Sequence, residues 1–360
     1  MADRIVMHVD LDYFYAQCEE LRNPELKGKP TVVCIYSGRT EDSGAVSTSN
    51  YEARKLGIRS GLPIVAAKRM ANSDTKFIRA DLDYYDEVSE RVMAILRAFS
   101  GVMEQASVDE AYLELTGTLD SIEQARQRAM ELKAEILSRE RLTCSVGVGP
   151  NKLISKMAAG MIKPDGLTVI NEEDVQSFLE QLSVGKLFGV GKVTEGKLNS
   201  MDVQTVRDLR LIELRQLQRE FGVSMGSWLY NACRGIDDEP VKDRKREQYG
   251  RIVTLKEDTR DRTILEERAS ALLTEVIAMA DRDGIAFKTI SFTGIMEDLS
   301  TRTKNRSLQD FMSDVVMSRR ILVHLIDDFL AEHEGKLRRI GVKISNLAEK
   351  KGQKSLSDFV

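Results

Sequence analysis

Two apolar segments that end in carboxylates constrain this chain more than any other feature. Ile5 to Val9 is an alternating run of apolar and β-branched residues that reads as a buried strand, and Asp10 falls at its end. Almost 100 residues later, Met103 to Ala106 and Ala111 to Leu115 read as the strands of a hairpin, with Ser107 to Glu110 at or near its bend. One sheet joining these strands would gather Asp10, Asp109 and Glu110 where strands end. Three negative charges held that close repel one another, and divalent cations are what make such a site tolerable. Mg²⁺ suits it best, because it takes oxygen ligands and keeps positions open for substrate phosphates. Two such ions roughly 4 Å apart can stabilise the attacking and leaving oxygens of a phosphoryl transfer. On spacing alone a second reading stands beside this one: Asp10 caps the following helix, and Asp109-Glu110 decorate a hairpin. Asp12 is expected to be a capping or surface residue. Adjacent Asp109 and Glu110 would point to opposite faces of a regular strand, so both reach a metal only where the pleat is broken, which the bend supplies.

The chain has 360 residues, 42% hydrophobic and 31% charged, with 6 prolines, which predicts an ordered globular protein of two to four modules and α+β design. No apolar run reaches membrane-spanning length, and MADRIVMHVDLDYF lacks the basic flank and unbroken apolar stretch of a signal peptide. A cytoplasmic protein with no membrane partner is expected. Cys18, Cys34, Cys144 and Cys233 lie far apart with only 3 histidines beside them, so they read as buried apolar residues and not as a zinc site. A net charge of −4 argues mildly against a nucleic-acid partner. Distribution argues the other way: between Lys242 and Lys256 six basic residues stand against two acidic ones, which marks a place for a phosphate backbone.

Along the chain, helices are predicted at Tyr15 to Arg22, Asn50 to Leu56, Asp83 to Phe99, Ser121 to Arg139 and Asn151 to Met161. Strands are predicted at Pro30 to Tyr36 and Thr143 to Val148. From Glu172 to about Cys233 the pattern is helical, and Asp237 to Tyr249 reads as a linker. Beyond it, strands at Arg251 to Leu255, Lys288 to Met296 and Leu337 to Ile344 alternate with helices at Ile264 to Ala280 and Ser313 to Ala331.

The strings Val9-Asp10-Leu11-Asp12-Tyr13-Phe14-Tyr15-Ala16, Asn50-Tyr51-Glu52-Ala53-Arg54 and Ala106-Ser107-Val108-Asp109-Glu110-Ala111-Tyr112-Leu113 resemble the Y-family DNA polymerases, nearest their archaeal DNA polymerase IV branch. Ser145-Val146-Gly147-Val148, Asn151-Lys152-Leu153 and Lys163-Pro164-Asp165-Gly166 extend the likeness, which runs through the whole chain. The resemblance implies a right-hand polymerase with a palm (1–13 and 78–169), short fingers (14–77), a helical thumb (170–236), a linker (237–249), an α+β little finger (250–348) and a clamp-binding tail (349–360). It implies metal ligation by Asp10, Asp109, Glu110 and the carbonyl of Leu11, with two Mg²⁺ ions for which Mn²⁺ can substitute. Tyr15 matches the steric gate, whose ring leaves no room for a 2′-hydroxyl. Phe14, Thr48, Tyr51, Arg54 and Lys163 match contacts to the incoming nucleotide. Ile35, Gly44 and Ala45 match a roomy pocket over the templating base, from which low fidelity and tolerance of damaged bases follow.

Leu187-Phe188-Gly189-Val190-Gly191 looks like the family's helix-hairpin-helix turn, in which Gly189 and Gly191 let backbone N–H groups approach a phosphate. Arg251, Lys288, Arg302, Lys304, Arg306, Arg338 and Arg339 match the little finger's strands, where a sheet laid across the duplex could meet both backbones. Gln353, Leu356, Phe359 and Val360 resemble a sliding-clamp-binding peptide, with Val360 in place of the usual second aromatic residue. The expected activity is low-fidelity translesion synthesis without a proofreading exonuclease, by a monomer working on primer-template DNA and dNTPs. A palm-type nucleotide cyclase and a catalytically inert DNA-binding or clamp-associated scaffold are the competing readings.

Overall fold

The computed structural model describes residues 4–119 and 121–350. The expected clamp peptide, Gln353 to Val360, lies outside them. The chain divides into two compact units, the first comprising Met1–Cys34, Val46–Leu62 and Ala67–Arg244, the second Ile35–Ala45, Pro63–Ala66 and Lys245–Val360.

The chain opens with β1 (Val6–Leu11), α1 (Phe14–Arg22), β2 (Thr31–Tyr36), β3 (Gly44–Ser49), α2 (Tyr51–Lys55), α3 (Ile64–Met70) and β4 (Lys76–Arg79). It continues with α4 (Leu82–Phe99), β5 (Met103–Gln105), β6 (Glu110–Glu114), α5 (Ile122–Glu140), β7 (Cys144–Gly149), α6 (Lys152–Ala159) and β8 (Leu167–Val169). A five-stranded sheet in the order β5-β6-β1-β7-β8 forms the first unit's centre, with β1 antiparallel to both β6 and β7.

Strand periodicity sorts the side chains of that sheet into two functions. Met7, Val9 and Leu11 of β1, Ala111 and Leu113 of β6, and Cys144, Val146 and Val148 of β7 join Val92, Leu96, Leu132 and Ile136 of α4 and α5 in one buried core. Each buried Val, Leu, Ile or Met side chain among them contributes about 1.5–3 kcal/mol of transfer free energy, so this face decides the register. The alternate residues, His8 and Asp10 on β1 and Glu110 and Tyr112 on β6, are thereby turned to the opposite face, against which α6 packs. Glycine makes that packing close: a Cβ on Gly147 would stand 2.0 Å from the Ser155 carbonyl, and one on Gly149 2.8 Å from Ile154 Cγ2.

Five short helices follow: α7 (Val175–Glu180), α8 (Lys192–Asn199), α9 (Val206–Arg210), α10 (Leu214–Phe221) and α11 (Val223–Ala232). The second unit adds β9 (Gln248–Thr259), α12 (Arg262–Arg282), β10 (Ile285–Met296), β11 (Thr301–Met312), α13 (Val315–Glu332) and β12 (Leu337–Glu349). Its antiparallel sheet runs β11-β10-β12-β9, and Phe287, Ile290, Phe292, Ile340, Val342 and Ile344 pack with both helices.

Several elements depart from the sequence reading. β3, α3, β4, β8 and β11 were not expected. In β11 (TRTKNRSLQDFM) every residue is exposed or half-exposed, so this edge strand carries no apolar alternation to read. β9 begins at Gln248, inside the expected linker, because Tyr249 is buried in the second core. Glu110 is the first residue of β6 and not part of the bend. Asp12, expected on the surface or as a cap, is fully buried, and α1 has no side-chain cap. All four cysteines are buried, as expected.

Gly147→Ala is expected to destabilise the protein by at least about 2 kcal/mol, because neither the strand nor the helix backbone can yield to the added methyl group. Denaturant unfolding beside the wild type measures it; an unchanged midpoint would mean that α6 does not need this close approach.

Candidate active site

Across β1 and its neighbours, Asp10 lies opposite Glu110 on one side and Ser145 on the other. The Leu11 N–H donates to the Asp109 carbonyl at 2.9 Å, which folds the β5–β6 bend over the end of β1. Asp109 Oδ1 accepts from Ser107 Oγ at 2.5 Å. The sheet thus brings the three expected carboxylates to one end of β1, Asp10 and Glu110 by strand register and Asp109 by the bend.

The electrostatics of the three differ. Burial pushes Asp10 up to about 6, against the opposing pull of Lys163, whose ammonium meets Oδ1. Asp109 is raised as well, by burial first and then by the charge of Glu110 beside it. Glu110 is held below the ordinary carboxylate range by the two groups that face it, His8 and Lys156. His8 Nε2 is 3.6 Å from Glu110 Oε2, beyond hydrogen-bonding distance, and among the described residues neither ring nitrogen has a hydrogen-bond partner. Burial lowers the pKa of His8, so its ring is neutral at pH 7, and the positive charge facing Glu110 is the Lys156 ammonium, in contact with Oε2.

A hard divalent cation fits this donor set of carboxylate and carbonyl oxygens. Among the described residues no three carboxylate, imidazole or thiol side chains converge as a metal cluster, since Asp10 and Glu110 are each turned onto a lysine. Those two ammonium groups stand where the carboxylates demand positive charge.

The neighbouring groups suit a polyanion. Among the described residues Tyr51 Oη is buried without a partner at hydrogen-bonding geometry, although Arg54 lies beside it, which leaves its hydroxyl proton for a ligand. Arg54 stacks over the Tyr51 ring at 4.8 Å while its Nε donates to the Ser49 carbonyl at 2.9 Å. α1 begins without a side-chain cap at Tyr13, whose φ is 36°, so its first N–H groups are free of a capping oxygen. The Phe14 side chain is buried in the core, so only its backbone can meet a nucleotide. Thr48 is half-exposed on β3. Tyr15 is half-exposed, and its ring stacks on Tyr85 at 4.4 Å and 18°. Tyr85 is itself fully buried, with its hydroxyl donating to Glu19 Oε1 at 2.7 Å.

A cavity of about 770 Å³ is lined by Glu110, Lys156, Tyr112, Lys152, Phe188 and Trp228 among others. Lys152 Nζ lies 2.9 and 3.0 Å from the carboxylate oxygens of buried Glu104, which also accepts from Arg244 Nε at 2.6 Å. That pairing uses one cation of the basic stretch as a structural partner.

Other expected residues are placed differently from one another. Gly189 has φ +95°, and a Cβ there would stand 2.6 Å from the Trp228 ring, so internal packing already demands this glycine. Gly191 precedes α8 and faces open space. Ile35, Gly44 and Ala45 belong to the second unit, where a Cβ on Gly44 would stand 2.2 Å from the Ile35 carbonyl. In the second sheet Arg306, Lys304 and Arg302 lie opposite Ile290, Phe292 and Gly294, and Arg251 opposite Val342, on the helix-bearing face. Lys304 accordingly pairs with Glu332 of α13. Arg339, together with Lys343, which the sequence reading did not select, alternates with core residues and faces the helix-free side; Arg338 falls at a register shift. Lys288 lies over the Phe311 ring at 4.6 Å.

Sequence reasoning also passed over His8, Lys156, Tyr85 and Glu104. Lys156 had a signal, since Lys152 and Lys156 repeat at i,i+4 on a short helix of otherwise apolar and small residues. The others carry none, because nothing local marks which buried polar group faces a site.

Comparison with known proteins matches residues 9–160 to the impB/mucB/samB family, 185–237 to a DNA polymerase-iota thumb domain and 246–357 to the impB/mucB/samB family C-terminal domain. DNA polymerase IV of Nitrosopumilus maritimus is 42% identical over all of both chains, and DNA polymerase IV 1 of Methanosarcina mazei 44% over all of both. Among solved structures, a Y-family polymerase chimera of Dbh and Dpo4 aligns with a TM-score of 0.90 at 36% identity, covering 96% of this chain and 99% of that one. An insertion ternary complex of Dbh DNA polymerase aligns with a TM-score of 0.73 at 35% identity over the same shares.

Asp10→Asn is expected to stabilise the metal-free protein at pH 7. A carboxylate whose pKa the fold raises to about 6 contributes stability below its unfolded pKa and loses it as pH rises through 6. The neutral amide escapes that loss, worth about 1–3 kcal/mol. Urea unfolding in chelator at pH 7.5 and at pH 4 checks it: the gain should be present at the higher pH and shrink at the lower, and a variant less stable at both would refute the burial argument.

Proposed function

This chain belongs to the Y family of DNA polymerases, and we propose that Asp10, Asp109 and Glu110, with the Leu11 carbonyl, hold two Mg²⁺ ions at its catalytic centre. The chain is a DNA-directed DNA polymerase of the translesion type, a metal-dependent class, acting on primer-template DNA and dNTPs. The observation that supports the site assignment is that strand register and the β5–β6 bend bring Asp10, Glu110 and Asp109 to one end of β1, with Asp10 and Asp109 raised above their ordinary pKa. Ions held there would lower the pKa of the primer 3′-hydroxyl and carry the charge of the triphosphate.

The protein's own groups do the rest. Lys163, now on Asp10, and Arg54 are the cations within this unit suited to the triphosphate, Lys163 as a point charge and Arg54 through its planar fork. Tyr51 Oη supplies a neutral donor, and the uncapped start of α1 supplies backbone N–H groups. Nucleotidyl transfer then proceeds as attack of the primer hydroxyl on the α-phosphate, with pyrophosphate leaving in line. Tyr15, braced by Tyr85, excludes the ribose 2′-hydroxyl, and Ile35, Gly44 and Ala45 leave the template base loosely enclosed.

We assign residues 1–13 and 78–169 to the palm, 14–77 to the fingers, 170–236 to the thumb and 250–348 to the little finger, with 237–249 between them. Gly189, Gly191, Arg251, Arg302, Arg338 and Arg339 are assigned to the DNA, and the tail from Gln353 to Val360 to a sliding clamp, on a monomer working in the cytoplasm. No helix among the described residues is long and apolar enough to cross a membrane. A nucleotide cyclase and an inert scaffold lose their ground against relatives named DNA polymerase IV that match the whole chain.

Extension of a labelled primer with Mg²⁺ and dNTPs, on an undamaged template and past an abasic site, tests the site. Wild type should extend on both, and Asp109→Ala or Glu110→Ala should abolish extension while DNA binding persists; extension by either variant would remove that residue from the catalytic centre. Sugar selection tests the gate. Tyr15→Ala should cut the preference for dNTP over rNTP by on the order of a hundredfold. Tyr85→Leu should cut it by about tenfold through loss of ring stacking, and Tyr85→Phe should barely change it. Unchanged selection in Tyr15→Ala would rule out Tyr15 as the gate.

A further inference from the structure

Asp12 is fully buried, yet among the described residues its carboxylate meets no cation. It accepts from Thr143 Oγ1 at 2.9 Å and from the Asp165 backbone N–H at 2.8 Å on one oxygen, and from Ser145 Oγ at 2.7 Å on the other. Burying a carboxylate on neutral donors alone is costly, and an amide of the same shape would fill the space more cheaply. What the carboxylate provides is acceptor capacity on both oxygens at once, toward β7 and toward the turn that carries Lys163.

The geometry around that turn has a simple logic. One stretch of chain, Asp10 to Asp12, grips it twice. In front, the Lys163 ammonium meets Asp10 Oδ1; behind, the Asp165 N–H meets Asp12 Oδ2. The front grip is a side-chain contact that must be released if Lys163 is to serve a triphosphate. The rear grip is independent of what Lys163 touches. Lys133 of α5 reinforces it, with Nζ 2.6 Å from Asp165 Oδ1, 2.6 Å from the Cys144 carbonyl and 3.2 Å from that of Gly166. Gly166 N–H also reaches Ser145 Oγ at 3.4 Å, so the hydroxyl that Asp12 holds is itself tied to the turn.

We propose that Asp12 is a positioning residue for nucleotide binding: through the Asp165 N–H it fixes the 163–166 turn so that Lys163 can leave Asp10 for the triphosphate without the turn moving. The inference rests on the assignment of Lys163 to the triphosphate. It predicts that Asp12 acts on the KM for dNTP through Lys163, and not on DNA affinity or on the chemical step.

The test is steady-state primer extension by the full chain with Asp12→Ala, Asp12→Asn and Lys133→Met, each with and without Lys163→Ala. DNA affinity and the thermal midpoint are measured in parallel. Asp12→Ala should raise the dNTP KM by about tenfold, the worth of one lost hydrogen bond to a held group, with kcat and DNA affinity near wild type. Asp12→Asn keeps an acceptor for the Asp165 N–H, while the Ser145 hydroxyl can turn to accept from the amide, so most of the loss should be recovered. In the Lys163→Ala background neither Asp12 variant should raise KM further. A KM increase that multiplies with that of Lys163→Ala, or a fall in kcat at unchanged KM, overturns the proposal. If Asp12→Ala does not fold, Lys133→Met carries the same comparison, since it loosens the same turn from the other side. Lys163→Ala alone separates the two ideas. No KM change there removes the triphosphate assignment itself, whereas a raised KM with silent Asp12 and Lys133 variants removes only the positioning role.

Discussion

Electrostatic repulsion among Asp10, Asp109 and Glu110 is the constraint around which the first unit is arranged. The apolar faces of β1, β6, β7, α4 and α5 impose the register, and the register leaves Asp10 and Glu110 opposite each other on the reverse face. The resulting field is answered by two lysines from elements distant in sequence, Lys156 on α6 and Lys163 in the turn before β8. Burial wins over the lysine at Asp10, whose carboxyl stays well above its ordinary range, whereas the groups facing Glu110, His8 and Lys156, hold it below its own. A site that retains such unresolved charge is held against its own stability by the packing of the opposite face.

The surrounding structure follows from making that end of the sheet accessible and stiff. Gly147 and Gly149 let α6 lie close enough for Lys156 to reach Glu110. Asp12 ties β1, β7 and the Lys163 turn into one rigid corner. Tyr15 is held flat against a buried, hydrogen-bonded Tyr85. Each device uses a buried residue to set the place of a more exposed one, so the groups proposed to meet substrate are already ordered.

The second unit solves a different problem. Its four-stranded sheet buries one face under α12 and α13, its other face carries no helix of this unit among the described residues, and cations occur on both sides. Arg339 and Lys343 alternate with core residues and so face the helix-free side, while Lys304 is committed to Glu332. A count of basic residues along these strands therefore overstates the surface that any one polyanion could touch at once.

Much of this was legible in the sequence, for a physical reason. Long amphipathic helices and apolar strands carry a periodic signal, so α4, α5, α12, α13, β1, β2 and β7 were found within a few residues, and the three carboxylates announced themselves because charge at the end of an apolar run is conspicuous. β3 and β11 were missed because polar edge strands are held by backbone hydrogen bonds, which no side-chain pattern records. Residue identity and local pattern were enough for the family, for the long periodic elements and for placing Asp10 and Asp109-Glu110 at the ends of apolar runs. Only the tertiary structure decided that Asp12 is a buried brace and not a surface cap, that Lys156 and not His8 balances Glu110, and which face each second-unit cation takes. Those outcomes depend on strand register and on helices brought together from far along the chain, and burial and charge pairing exist only once those contacts are made.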